Sequence, residues 1–111
     1  MIVIVESPYA GDTDRNHAYC VRACADCFRR GETPFASHLI YPHVLDELNP
    51  EERERGIAAG YEFWPIAEKI VFYTDLGMSS GMQRAMNRAQ ELGLKIEGRT
   101  IGANSKEVKN G

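Results

Sequence analysis

The chain contains no apolar run approaching the ~20 residues a helix needs to cross a bilayer. Its first residues also lack the charged leader, apolar segment and small-residue cleavage site of a secretory signal. A membrane partner is therefore not expected, and a cytoplasmic location is. Basic excess is missing too: 13 Lys and Arg stand against 16 Asp and Glu, a net charge of −3 with the basic residues dispersed. That distribution gives no electrostatic footprint for duplex nucleic acid. Neither Gly-Lys-Ser/Thr after a glycine-rich loop nor G-x-G-x-x-G occurs, which excludes the two commonest phosphate fingerprints. Internal repeats and low-complexity tracts are absent.

Cysteine is scarce, and the three present fall together at Cys20, Cys24 and Cys27, with His17 just upstream. Helical spacing spreads these four residues over about 15 Å at ~1.5 Å per residue. A zinc ion bonds sulfur at ~2.3 Å, so one metal reaches a neighbouring pair but never all four. A redox Cys-x-x-Cys needs a helix N-terminus after a strand, whereas Cys24 and Cys27 lie toward a helix end. The expectation is reduced thiols lining the core face of a helix, with no metal and no cofactor.

What the sequence does have is two apolar runs, each leading into a polar loop. Met1-Ile2-Val3-Ile4-Val5 leads into Glu6-Ser7-Pro8-Tyr9-Ala10-Gly11-Asp12, and Ile70-Val71-Phe72-Tyr73 into Thr74-Asp75-Leu76-Gly77-Met78-Ser79-Ser80-Gly81. Both runs are β-branched and aromatic without polar alternation, as in strands buried on both faces of a parallel sheet. A short strand is expected around 33–36, the strand at 69–73 in a central place, and a fourth at 94–97.

Helices are expected between them. In the first, from about 13 to 30, His17, Cys20, Val21, Cys24, Cys27 and Phe28 form the apolar stripe. The second opens with Asn49 as N-cap, Pro50 at the first position and Glu52 placed to complete a capping box. Gly56 and Gly60 interrupt it at about 1 kcal/mol each relative to alanine, which implies close approach to the sheet or to another subunit. The third runs from a cap at Ser80, with Gln83 three residues on, to about Leu92. The order β-α-β-α-β-α-β predicts a Rossmann-like or flavodoxin-like three-layer α/β sandwich with a parallel sheet of about four to five strands. One domain over 1–97 and a polar tail over 98–111 complete the expected organisation.

Open α/β sheets bind ligands beyond the carboxyl ends of their strands, which places a candidate site in the two loops. From the first loop and its helix come Ser7, Pro8, Tyr9, Gly11, Asp12, Arg15 and Asn16. From the second come Asp75, Ser79, Ser80, Gly81 and Met82. Hydroxyls and backbone N–H groups at a helix start suit a phosphate or ribose. Asp12 serves equally well as a helix cap, Asp75 as a turn residue and Met82 as packing. His38 and His43 sit in the middle loop, where His38 is a candidate ligand contact or proton shuttle and each is otherwise a packing residue. Tyr61 and Trp64 are core or interface by spacing, and stacking surfaces for a base in the alternative.

On these loops the chain resembles the nucleoside 2-deoxyribosyltransferase-like group, including its small bacterial and phage members. Ser7-Pro8-Tyr9-Ala10-Gly11 after the first strand, the Asp75 loop, and Ser80-Gly81 opening a helix carry the likeness over most of residues 1–97. The resemblance implies a Rossmann-like fold, a nucleoside- or nucleotide-type ligand, and homo-oligomers whose pockets a neighbouring subunit completes. Enzymes of that group carry a nucleophilic glutamate on the helix turn after the Ser-Gly pair, yet here that position, about Ala85, has no carboxylate.

The leading expectation is thus a protein that captures a nucleoside-derived molecule without turning it over. In a phage it would act as a sponge for a cyclic nucleotide or an ADP-ribose-type immune signal. The alternatives are an N-glycosidic-bond enzyme, transferase or hydrolase, using Asp75 or Asp12 (or Glu6) as the carboxylate, and an oligomeric interaction module built on Gly56, Gly60 and Trp64 with a vestigial pocket.

Overall fold

The computed structural model describes residues 1–102. Four strands, β1 (Ile2–Glu6), β2 (Thr33–Phe35), β3 (Lys69–Tyr73) and β4 (Ile96–Arg99), form one all-parallel sheet in the order β2-β1-β3-β4. Three helices, α1 (Thr13–Arg29), α2 (Pro50–Tyr61) and α3 (Ser80–Glu91), cover it. The result is a Rossmann-like three-layer α/β fold whose winding reverses between β1 and β3. This switch point is where such sheets open a ligand crevice.

Alternation along the strands assigns the two faces. Val3, Val5, Val71 and Tyr73 point toward α1 and pack with Tyr19, Cys20, Ala23 and Cys27. Ile4, Ile70 and Phe72 point the other way, onto Trp64 and the α3 residues Met82, Ala85 and Ala89. The α1 stripe is turned from the expected one: Asn16, Tyr19, Cys20, Ala23, Asp26 and Cys27 are buried, while Val21 and Phe28 are 47% and 65% exposed. Two polar residues take core positions because each finds partners there. The thiols are free, as expected, with Cys20 and Cys27 in the core.

Several boundaries move for identifiable reasons. α3 is capped by Ser79, whose Oγ accepts from Met82 N at 3.2 Å, so Ser80 is the first helical residue rather than the cap. At α2, Asn49 Oδ1 accepts from Glu51 N and Glu52 N, but the Glu52 carboxylate accepts from Asp46 N, so the expected reciprocal box does not close. Gly56 and Gly60 are approached not by the sheet but by the segment that follows β2. A Cβ on Gly60 would stand 3.1 Å from Ser37 Cβ, and one on Gly56 3.4 Å from Leu45 Cδ1. Trp64 lies beyond α2 in a 3-10 turn, 3% exposed in this chain's own core, which removes it from the expected interface.

β4 begins and ends two residues later than expected, and the ordered chain continues past it. Thr74 N donates to Arg99 O, Ile101 N to Asp75, and Gly102 N to Asp26 Oδ1. The expected boundary at 97 therefore cuts a strand. The rest of the expected tail, 103–111, lies outside the described residues.

On the α1 side, the flank toward β4 is filled by charge. Arg99, 4% exposed, donates to Glu32 at 2.7 and 2.5 Å, to Glu97 at 2.6 Å and to Tyr73 Oη at 3.2 Å. Lys69 Nζ reaches Glu97 at 2.6 Å and Glu32 at 3.5 Å. Tyr73 Oη donates to Asp26 at 2.7 Å, which also takes Arg30 Nε at 2.8 Å and pairs with Arg29. Burial alone would raise the carboxyls of Glu32 and Glu97, but Arg99 and Lys69 outweigh it and hold both below their ordinary value.

Removing one partner of such a network leaves its mates buried and uncompensated. We expect Arg99→Met to cost about 3–5 kcal/mol in urea unfolding at pH 7. Because the Glu32 and Glu97 values are lowered in the folded state, their contribution is present above their unfolded value and is lost as pH falls through the folded one. The gap between wild type and Arg99→Met should therefore narrow below about pH 4.5.

Candidate functional site

The first loop leaves β1 over the switch point and is braced from α1. Asn16 Nδ2 donates to the carbonyls of Tyr9 at 2.9 Å and Ala10 at 3.1 Å, and its Oδ1 accepts weakly from Arg15. Gly11 supplies the φ of +98° at which the loop reverses. Asp12 then caps α1, its Oδ1 accepting from Arg15 N at 3.1 Å. Asn16 is thus buried scaffolding, while Gly11, Asp12 and Arg15 stand on the exposed rim.

The second loop is fastened more tightly. Tyr19 Oη donates to Asp75 Oδ1 at 2.5 Å and accepts from Asp75 N at 2.9 Å. Both carboxylate oxygens of Asp75 accept from Ile101 N, at 3.0 and 3.3 Å. This carboxylate holds the exits of β3 and β4 together, and Tyr19 is kept in its phenol form by burial and by Asp75. Ser79 is consumed as a cap, while Ser80 and Gly81 are exposed at the start of α3. Met82, expected to line a pocket, is 1% exposed against the sheet. Ala85, near which the expected resemblance would put a nucleophile, is likewise 2% exposed in the core.

Two adjacent polar groups at the end of β1 remain without partners. Ser7 Oγ is fully buried and, among the described residues, is the one buried side-chain polar atom without a hydrogen bond of regular geometry. It lies near the Cys20 thiol, whose pKa is lowered chiefly by Cys24 and less by Ser7, against burial. Glu6, half-buried, has no hydrogen bond or ion pair among the described residues. Desolvation, with a smaller push from Cys20, raises its carboxyl to about 8. Tyr61 on α2 feels the same group, since burial first and Glu6 second raise its phenol. The sequence signal for Glu6 is a glutamate directly after the apolar run of residues 1–5.

His38 closes the arrangement from the segment after β2. Its ring meets Tyr9 at 5.3 Å between centroids, and burial lowers its pKa to about 4, so the imidazole is neutral. His43 makes an edge contact with His17 at 5.6 Å instead. No group of three or more metal-ligating side chains occurs among the described residues.

A groove of about 570 Å³ lies elsewhere, along the outside of α3, with Tyr61, Ser80, Arg84 and Arg88 in its walls. Arg84 there is already neutralised by Glu54 at 3.0 Å, and Arg88 lies over the Tyr61 ring at 4.5 Å. Of the expected ligand contacts, Ser80 alone reaches it. The unsatisfied chemistry sits at the switch point.

Fold and site together define a Rossmann-like α/β domain with an unpaired acid and hydroxyl at its switch point. A family model matches residues 1–99, and the chain belongs to that family, described as a domain of unknown function, DUF7768. The matched span ends on the last residue of β4. No curated protein and no solved structure matches the chain.

Because the folded state raises the Glu6 pKa, its favourable contribution is complete below the unfolded value of 4.5 and is lost as pH rises toward about 8. Glu6→Gln, a neutral isostere, should match wild-type stability near pH 4. It should exceed it at pH 8 by about 1–3 kcal/mol in chemical denaturation.

Proposed function

We propose that this domain captures a nucleoside-derived small molecule at the carboxyl edge of its sheet and holds it without turnover. The observation that carries the reading is the pair of unpartnered groups at the end of β1. Buried polar groups are nearly always hydrogen-bonded, so an orphaned Ser7 hydroxyl and, next to it along the chain, an unpaired Glu6 carboxyl support a ligand at this strand end. A neutral carboxyl both donates and accepts, which suits the mixed edge of a base or the hydroxyls of a sugar. Tyr9 and Arg15 on the loop rim supply a ring and a cation for the remainder of the molecule.

Capture without covalent transfer is supported by the places of the other carboxylates. Asp75 and Asp12 are engaged in backbone hydrogen bonds, and the Ala85 position is packed against the sheet. One observation favours a second reading, an N-glycosidic-bond hydrolase: an acid protonated up to about pH 8 is what protonation of a departing base requires. Homo-oligomerisation, and a sponge role in a phage toward cyclic nucleotide or ADP-ribose-type signals, belong to the same proposal.

Thermal shift at pH 7 against nucleosides, nucleoside monophosphates, cyclic dinucleotides and ADP-ribose tests capture. A ligand present at 100 times its Kd adds about 2.7 kcal/mol, which raises the Tm of a domain this size by roughly 10 °C or more. Glu6→Ala should abolish the shift, and chromatography should show no free base. Absence of any shift across the panel would sink the reading. Base release that survives in wild type but is lost in Glu6→Gln, which keeps hydrogen bonding without the proton, would establish the hydrolase.

A further inference from the structure

Of the switch-point groups, Ser7 is covered in this structure. Ser7 has no accessible surface and Pro8 beside it is buried, so no ligand touches that hydroxyl until something moves. The segment from β2 to α2 lies against the first loop, His38 on Tyr9 and Leu39 on the cluster that holds Val5 and Cys20. It consists of two 3-10 turns, Ser37–Leu39 and Tyr41–His43, followed by an irregular stretch to Leu48, and no residue of either turn is fully buried.

Its attachments reach both layers of the sandwich. On the α1 side Leu39 lies on the Val3–Val5–Cys20 cluster, His38 meets Tyr9, and His43 meets His17. On the α2 side Ser37 fits against Gly60, and Tyr41 and Leu45 against Gly56. The two glycines that weaken α2 are therefore the seats of this strap. Between its seats the strap exposes Ile40, Val44 and Leu48 at 43%, 72% and 93%. Few buried apolar contacts and irregular backbone are the marks of a segment that opens at low free-energy cost.

We propose that residues 37–48 form a strap that closes the switch-point crevice, and that protonation of His38 opens it. This rests on the crevice being the ligand site. His38 is desolvated when the strap is closed, and no carboxylate pairs with it among the described residues. Burial is the cause of its lowered value, and the nearby carboxylate of Glu47 acts on Tyr9 instead. Tyr9 faces it from the first loop, the adjoining α1 contact is His17 against His43, and α2 presents glycine to Ser37. Lifting the strap returns the imidazole to water, so the open form binds the proton more tightly. A lowered value in the closed state means closure is favoured above the ordinary histidine value and is lost as pH falls through and below it.

Hydrogen exchange of the ligand-free protein, corrected for the intrinsic chemical rate, reads the strap directly. With the His38 pKa moving from about 4 closed to 6.5 open, protection in 37–48 should fall about 20-fold between pH 7 and pH 5, with β1 and β3 unchanged. His38→Phe, or His38→Gln if the first does not fold, should flatten that dependence, while His43→Gln should keep most of it. Gly60→Ala, whose Cβ would press on Ser37 at 3.1 Å, should lower strap protection at pH 7 without touching the sheet. Protection of 37–48 that is independent of pH, or that falls equally in wild type and the His38 variants, or only together with β1 and β3, would overturn the strap. Since no ligand is present, that failure is separate from a failed nucleoside screen.

Discussion

The guanidinium of Arg99 is the contact on which much of this domain turns. A helix is about 10–12 Å across and strands are spaced ~4.8 Å apart, so one helix covers little more than two strands. Only α1 lies on its side of a four-stranded sheet among the described residues, and its apolar contacts reach β1 and β3. The β4 flank is completed by a network of Arg99, Glu97, Lys69, Glu32, Tyr73 and Asp26. Through Asp26 and Glu32 it also fixes the C-terminal end of α1, and through Gly102 the chain beyond β4. The network is buried and satisfied, so its value lies in registering three elements at once more than in net energy.

That anchoring sets what the opposite edge can do. With the strand ends held by Tyr19–Asp75–Ile101 on one side of the switch point, the second loop spends its carboxylate on structure. The first loop is hydrogen-bonded through Asn16 and the Asp12 cap and touched by His38 at Tyr9, and it leaves Glu6 and Ser7 unmatched among the described residues. A sheet edge with one satisfied loop and one unsatisfied loop is asymmetric in chemistry although the two loops look alike in sequence. The strap over the unsatisfied one, seated on Gly56 and Gly60, gives those glycines a reason that helix propensity does not.

The sequence made the α/β class, the parallel sheet, β1, β3, the span of α1, the start of α2 and the free thiols readable. Apolar runs and caps act within about four residues, and those features are local. It misassigned the stripe of α1, where Val21 and Phe28 face solvent and Asn16 and Asp26 face inward. Hydrophobicity ranks a residue by itself, whereas burial of Asp26 depends on Tyr73 and Arg30 arriving around it. The cap of α3 slipped by one because Ser79 and Ser80 are equivalent as residues, and only the loop path from Gly77, with φ +87°, selects between them.

For the site, the sequence determined its address: two polar loops at the ends of two buried strands, in a fold that places ligands there. Which loop residues remain free was decided by tertiary structure alone. Tyr19 and Asp75 are 56 positions apart, and Arg99 and Glu32 are 67 apart. Nothing along the chain says that the first pair will consume a candidate acid while Glu6, next to four apolar residues, keeps its carboxyl unpaired. Hydrogen-bond satisfaction belongs to neighbours in space, and the crossovers of the parallel sheet bring those neighbours from distant parts of the sequence.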